Sequence, residues 1–336
     1  MKSKIVGIIV CMMLMTTFFT VAQNDPYFEK KPNKKLITNS FDDNVPTWNE
    51  TDSWTYKIDD INFNFDIGEN SSINMHIQID NLPMDVKADT GDAYDVKFSA
   101  KIGGNYSINI EQDNSTIDVE GRLLGTRIEG DIFFTKTELG IKKIDATLSG
   151  ILTVKINELL ESPIPEIPFP IPIPATIDTI LDFSTPYTLL DFPLNTSKMW
   201  GLPDTNFTLN GEIRSIWLNI INLINNIATA LESPILDSEI ADLLPVVDIQ
   251  KALEAYGMNN TFRIPEIPSI FSCNNTEPVE VPGGTFDAYN ISIAGGLGKI
   301  YYAPEVKNII KISGELEEVF QYITDIDMEL IDYKLA

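Results

Sequence analysis

The sequence predicts an α+β fold that is mainly β with an α insert, and three observations support this. Apolar and polar residues alternate over most of the hundred residues after Trp48, as in strands with one buried face. Gly, Asn and Asp, which tolerate the backbone of tight turns, separate these runs. One later segment has apolar residues at helical spacing instead. We therefore expect a large antiparallel sheet with a helical insert.

The first 22 residues have the form of a secretory signal peptide. Lys2 and Lys4 precede an apolar run that ends in small residues at Ala22. We expect cleavage near Ala22 and a secreted or cell-surface protein. Because the run is nearly long enough to span a bilayer, an uncleaved anchor is the alternative. Residues 23–46 are polar and show no period, which indicates a flexible N-terminal lead to a single β-rich domain at 47–336.

Charge and cysteine content restrict the partners and the means of stabilisation. The formal net charge of −25 disfavours binding to nucleic acid or to anionic lipid surfaces. After the signal no apolar stretch is long enough to span a membrane. Cys11 lies in the signal, so Cys273 has no partner for an intrachain disulfide. We expect Cys273→Ser to change stability by about 1 kcal/mol or less.

The chain carries nine Asn-x-Ser/Thr triplets, which are acceptors for N-linked glycans in exported proteins. This number favours a glycoprotein, although a chain rich in asparagine produces some triplets by chance. The candidate glycosylation sites are Asn49, Asn70, Asn105, Asn114, Asn195, Asn206, Asn259, Asn274 and Asn290.

The strand pattern begins at Trp54, Tyr56 and Ile58 and changes phase at Asp59-Asp60, which predicts a bulge or bend. It continues in successive runs as far as Ile156 and returns between Val279 and Leu335. Short groups of turn residues separate the early runs, as in an antiparallel meander. These groups are Gly68-Glu69-Asn70, Gly103-Gly104 and Asp113-Asn114.

Two segments interrupt the strands. Residues 162–174 alternate proline with apolar residues, and because proline has no N–H, we expect this strap to lie outside the sheet interior, on an apolar surface. Residues 210–258 form the predicted helical insert, whose main helix runs from Ile213 to Leu231. We expect that helix to pack on the concave face of the sheet; a membrane-surface helix is the alternative. Its apolar face supplies the candidate ligand-pocket residues Trp217, Ile220, Ile224 and Ile227.

Four phrases carry a resemblance to a protein family. They are WTYKI (54–58), FPLNTSKMW (192–200), VPGGTFDAY (281–289) with YYAPEVKNIIK (301–311), and MELIDYKL (328–335). In this respect the chain resembles uncharacterised secreted proteins of archaea and bacteria that share FPLxxGxxW, VPAGTF and YYSPEVG phrases. The resemblance implies a half-barrel, a large curved antiparallel sheet wrapped around a few helices, similar to lipoprotein carriers of the LolA and LppX type.

The chain departs from this family's pattern at three turn positions. Ser197 and Lys307 stand where the resemblance leads us to expect glycine, and Gly283 stands where it leads us to expect alanine. These departures put the local turn geometry in doubt. The resemblance brings no catalytic residue with it. The initial residues also resemble archaeal signal peptides, which favours an archaeal source.

The sequence predicts no catalytic residue, cofactor or metal site. His76, the only histidine, lies on the polar side of a predicted strand and has no serine elbow with it. Asp60, Asn62, Asn64 and Asp66 have the spacing of a calcium loop, but Phe65 replaces its glycine and the alternation indicates a strand.

Asp325, Asp327 and Glu329 have the same strand pattern, with a surface cation as the alternative. An extracellular enzyme that uses carboxylates for catalysis is a third alternative, after the two functions given next. We expect a non-enzymatic binding or carrier-like domain for a lipid or other hydrophobic ligand. A structural or adhesive cell-envelope glycoprotein is the alternative.

Overall fold

The computed structural model describes residues 45–68, 71–112, 115–159, 170–215, 260–316 and 323–336. Fourteen strands lie in these ranges, and they form one sheet in which every neighbouring pair is antiparallel. The strands are β1 (Ser53–Gly68), β2 (Ser71–Asp89), β3 (Ala93–Gln112), β4 (Ser115–Thr135), β5 (Ile141–Leu159), β6 (Ile171–Tyr187), β7 (Met199–Leu202), β8 (Thr205–Arg214), β9 (Asn260–Ile264), β10 (Ile267–Val281), β11 (Gly284–Ile293), β12 (Gly298–Ala303), β13 (Asn308–Glu315) and β14 (Ile323–Lys334).

The predicted α+β class is wrong, because the described part of the chain is nearly all β. Its only helical element is a three-residue 3₁₀ turn at Ala294–Gly296, between β11 and β12. In the described ranges, apolar side chains of the strands themselves form the core on the side of the sheet where the prediction placed helices. The predicted helix starts inside β8, where Ile213 pairs with Ile177. Residues 216–259, where most of the predicted helix falls, lie outside the described residues.

The sheet curls back on itself. Its strand order is β7-β10-β11-β12-β13-β14-β1-β2-β3-β4-β5-β6-β8-β9, so β7 and β9 are its two edges. Pro203 and Asp204 alone join the edge strand β7 to β8, which is the neighbour of the other edge strand, β9. Pro265 and Glu266 alone join β9 to β10, which is the neighbour of β7. Each connection spans no more than about 11 Å, since consecutive Cα atoms are 3.8 Å apart. The two edges must therefore lie close together.

The predicted bulge in β1 is confirmed. The pairing of β1 shifts register between Ile58 and Asp60 against β14, and between Ile58 and Ile61 against β2. Ile58 and Ile61 are consequently both buried, although three positions separate them. Without the extra residue, Ile61 and Phe63 would point to the opposite face of the sheet.

The turn predicted at Gly103-Gly104 is wrong, because β3 runs through both residues without a break. The glycines form a bulge there, with a register shift between Ile102 and Gly104 against β4. A Cβ atom on Gly104 would lie 2.2 Å from the carbonyl oxygen of His76 on β2. The glycine thus permits a close approach of two backbones.

The other two predicted hairpins are confirmed by the pairing of the residues that flank them. Gly68 pairs with Ser71 across the β1–β2 connection. Gln112 pairs with Ser115 across the β3–β4 connection. Sequence therefore located both of these connections correctly.

The expectation that the proline strap avoids the sheet interior holds for its last four residues, but they pair as part of strand β6 and do not form a separate strap on an apolar surface. Pro172 and Pro174 belong to β6 and pair with Thr153 and Ile151 of β5. The pairing of β8 with β6 begins only at Thr176, so within the described ranges the prolines have a strand on one side alone. A missing N–H is tolerated on such an open side. Residues 162–169 lie outside the described part of the chain.

Strand alternation produces one continuous apolar core inside the curl. Residues from every region of the sheet contribute to it, and Trp54, Phe271 and Leu330 are among those with no exposed surface. Cys273 on β10 is also fully buried. No helix within the described ranges has the length and apolarity needed to cross a bilayer.

Candidate binding cavity

An apolar cavity of about 150 Å³ lies inside the curl. Its walls come from strands that are consecutive in the sheet, from β12 through β14 and β1 to β6, and from the segments next to them. Since β12 and β6 are eight positions apart in the sheet order, the cavity lies where the curl brings facing strands together. The lining residues are Trp48, Tyr56, Ile58, Ile61, Phe63, Ile79, Leu82, Met84, Phe98, Ile102, Ile128, Ile132, Phe134, Leu139, Ile141, Tyr187, Leu189, Leu190, Tyr302, Lys307, Asn308, Ile309, Ile312, Leu316, Ile323, Ile326 and Met328.

Three aromatic donors fix the turn between β12 and β13 at one part of this lining. Trp48 donates from Nε1 to the carbonyl oxygen of Lys307 at 3.0 Å, and Trp54 donates to that of Val306 at 2.9 Å. The Tyr56 hydroxyl donates to the carbonyl oxygen of Ile309 at 2.9 Å. Burial raises the pKa of Tyr56 far above its ordinary value, so the hydroxyl keeps its proton. These bonds satisfy backbone groups that the turn would otherwise bury unpaired.

Trp48 lies at the centre of an aromatic cluster beside the cavity. Its ring centroid is 4.9 Å from that of Trp54, 5.3 Å from that of Tyr94 and 5.2 Å from that of Phe134. The contact with Phe134 is edge to face, a geometry that aromatic pairs favour. Trp48 is buried, although it lies only a few residues from the start of the described chain. It therefore closes part of the cavity wall with a large, fixed side chain.

Lys307 is the charged residue of the lining, and its backbone is unusual. Its φ of +59° lies in the left-handed region, which non-glycine residues rarely adopt. The ammonium group donates to the carbonyl oxygen of Thr47 at 3.0 Å and lies 3.9 Å from Oδ2 of Asp52. Asp52 is fully buried, and its carboxylate accepts from the backbone N–H groups of Asn49 at 2.8 Å and Ala336 at 2.6 Å. Two backbone N–H donors thus satisfy the oxygens of the buried Asp52 carboxylate.

Residues from the four phrases quoted above come together around this turn. β14, with MELIDYKL, pairs with β1, with WTYKI, and Trp54 of β1 binds the turn of the YYAPEVKNIIK phrase. Phe192 contacts the ring of Tyr302 edge to face, at a centroid distance of 5.4 Å. Ser197 and Lys307 both have positive φ, of 74° and 59°, so left-handed turns form at both positions without glycine.

His76 lies on the opposite, polar face of the sheet, as its strand pattern predicts. Its Nδ1 atom is 2.6 Å from Oδ1 of Asp60 and 3.0 Å from Oδ1 of Asn62, both on β1. A groove of about 310 Å³ runs beside these residues, and its lining includes Asn74 and Asn105. The amide and imidazole groups form a polar surface there, and no serine or cysteine nucleophile lies in hydrogen-bond contact with His76 among the described residues.

The carboxylates that resemble a calcium loop lie on strands. Asp60 of β1 is opposite Asp327 of β14. Two pairs along, Lys57 is opposite Glu329, which forms an ion pair of 2.5 Å with Lys311. Burial raises the pKa of Asp327, and the neighbouring acids Glu329, Asp59 and Asp325 act in the same direction, against Lys311. Within the described ranges, no group of three or more His, Cys, Asp or Glu side chains could hold a metal ion.

The candidate glycosylation sites differ in exposure. Asn105, Asn195, Asn206 and Asn274 are exposed, as is Asn49. Asn290 on β11 is only 7% exposed, and its Nδ2 atom donates to Oε1 of Glu277 at 2.8 Å. Asn70, Asn114 and Asn259 lie outside the described residues. Burial therefore argues against a glycan on Asn290 in the folded protein.

The candidate pocket residues Trp217, Ile220, Ile224 and Ile227 also lie outside the described residues. Sequence reasoning missed the cavity residues that the structure brings together, above all Trp48 and Lys307. The sequence pattern marks Trp48 only as the start of the domain and Lys307 only as a departure from an expected glycine. That departure was the available signal, because a bulky residue at a left-handed position carries a conformational cost.

Neither a protein-family model, nor a curated protein, nor a solved structure matches this chain. The resemblance to secreted archaeal and bacterial proteins, and to lipoprotein carriers, therefore stays a prediction.

Proposed function

We propose that this protein is an exported, non-enzymatic binding protein that holds a small hydrophobic ligand in the cavity inside its curled sheet. The apolar cavity is the observation that carries the proposal. Protein interiors are close-packed, and an empty apolar space costs about 24 cal/mol per Å³ in mutant series. A cavity of about 150 Å³ would therefore cost about 3–4 kcal/mol if nothing filled it. A ligand offsets that cost.

The size of the cavity narrows the ligand class. Engineered apolar cavities of about 150 Å³ in other proteins take up benzene. Pockets for drug-sized ligands are larger, at roughly 300–1,000 Å³. The cavity of this protein, at about 150 Å³, suits a small hydrophobic molecule better than a whole lipid. Export is supported by the signal-like first 22 residues and by the acceptor triplets.

A structural or adhesive envelope glycoprotein is the second candidate. Exposed acceptor asparagines on three strands favour it: Asn105 on β3, Asn206 on β8 and Asn274 on β10. Glycans at such positions would cover the polar face of the sheet and leave the core untouched. On this alternative the cavity would be empty in the native protein.

Native mass spectrometry of gently purified secreted protein separates the two candidates. A bound ligand adds mass in the native spectrum and is lost on denaturation, whereas a covalent glycan remains in both spectra. The binding function predicts a native mass that exceeds the denatured mass by one small molecule. Identical native and denatured protein masses would leave the envelope glycoprotein as the better candidate.

A further inference from the structure

The polarity of the cavity wall is uneven. Of the described residues that line it, Lys307 alone carries a charge and Asn308 alone carries an amide. They are adjacent in the chain, so the strongly polar groups of the lining lie at one place, beside Trp48. Binding pockets commonly combine apolar walls with a few polar groups that fix the orientation of the ligand.

The Lys307 ammonium has hydrogen-bonding capacity beyond its observed contact. An ammonium has three N–H donors. One of them is directed to the carbonyl oxygen of Thr47 at 3.0 Å, and Asp52 is farther away at 3.9 Å. Asp52 already accepts two backbone N–H groups, which reduces its need for the lysine. The lysine side chain is 29% exposed, so it lies between the cavity wall and solvent.

The backbone of Lys307 supplies a second, independent observation. A φ of +59° is costly for a side chain with a Cβ atom, and glycine would remove that cost. Strained residues that persist in a fold are concentrated at ligand-binding and catalytic positions. Lys307 is one of six non-glycine residues with positive φ among the described residues, and the strain at this one lies at the polar end of the cavity lining.

Asn308 adds a donor at the same place. Its Oδ1 atom accepts from the backbone N–H of Ile309 at 2.8 Å, which orients the amide and leaves Nδ2 to donate. A cation and an amide donor side by side favour an anionic acceptor such as a carboxylate.

From these observations we infer that the ligand is a small amphiphile with an anionic head, of the monocarboxylate class. Its apolar part fills the cavity, and Lys307 and Asn308 hold the carboxylate at the wall beside Trp48. This inference rests on the proposed binding function. The protein as a whole has a net charge of −25 and repels anions, so a preference for an acid must come from local contacts.

Isothermal titration calorimetry with two matched probes tests the inference. The probes are 3-phenylpropanoate and 3-phenylpropanamide, which share a benzene-sized apolar part and differ in charge at the head. At fixed ionic strength, we expect the unaltered protein to bind the acid at least about tenfold more tightly than the amide. Lys307→Gln should abolish that preference, because it weakens binding of the acid far more than binding of the amide. Lys307→Arg should keep the preference, because it keeps the charge.

Lys299→Gln is the matched control, since Lys299 is exposed on β12 and does not line the cavity. It should change neither affinity. Equal binding of acid and amide by the unaltered protein would overturn the inference and leave the binding function standing. Binding of neither probe would remove the proposed function and the inference together. If Lys307→Gln and Lys299→Gln lose the preference for the acid equally, the preference comes from the net charge of the protein and not from Lys307, and the inference is overturned.

Discussion

Ile77 and Ile79 are two residues apart on β2 and are both buried, but only Ile79 lines the cavity. Ile79→Phe should place its extra volume in the cavity and keep the free energy of unfolding within about 1 kcal/mol of the unaltered protein, or raise it. Ile77→Phe has no such space and should lower it by about 1–3 kcal/mol. Urea unfolding of the two variants measures the difference. Equal losses would mean that the cavity cannot accept a larger side chain.

Cys273 shows how burial changes a prediction made from sequence. A single cysteine outside the signal suggested that Cys273→Ser would have little effect, but the residue is fully buried in β10. Placing a hydroxyl there should lower the free energy of unfolding by about 1–3 kcal/mol. Thermal or urea unfolding of the serine variant checks this, with Cys273→Ala as the apolar control. A serine variant as stable as the unaltered protein would support the original sequence prediction.

At the scale of single elements, the bulge in β3 gives a sharp contrast between neighbouring glycines. Gly104→Ala would place a Cβ atom 2.2 Å from a backbone oxygen of β2, whereas the nearest atom to a Cβ on Gly103 is 3.9 Å away. We expect Gly104→Ala to lower the free energy of unfolding by about 2 kcal/mol or more. Gly103→Ala should change it by less than about 1 kcal/mol. Similar losses in both variants would contradict the bulge geometry.

The elements that sequence predicted well are those whose pattern is local. Alternation located β1 and its bulge at Asp59-Asp60, because the polarity of each residue indicates which face of the strand its side chain occupies. A glycine pair does not distinguish a turn from a bulge, because glycine is favoured in both. Gly103-Gly104 was therefore predicted as a turn, although it forms a bulge in β3. Proline chemistry correctly kept Pro172 and Pro174 out of the sheet interior, but it did not predict that they pair with β5, because the open side of β6 depends on where β8 ends. The cavity could not be predicted, because it forms between strands that face each other across the curl, and local alternation does not indicate which strands do so.

For the whole molecule, the exposed polar face predicts where glycans attach. We expect glycopeptide mapping of protein secreted by its native host to find modification at exposed acceptors, with Asn105, Asn195 and Asn206 as the clearest cases. Asn290 should be unmodified, because it is buried and its Nδ2 atom is bonded to Glu277. A glycan on Asn290 would show that this part of the sheet opens before modification.

The central claim is that the curled sheet holds an apolar cavity open to a small ligand. Its most direct test is the unfolding temperature of the protein as benzene is added, because a ligand that binds only the folded state stabilises it by RT ln(1 + [L]/Kd). We predict a rise with benzene concentration in the unaltered protein and in Ile77→Phe, and little or no rise in Ile79→Phe. An unchanged unfolding temperature in the unaltered protein, or an equal rise in Ile79→Phe, would contradict the claim.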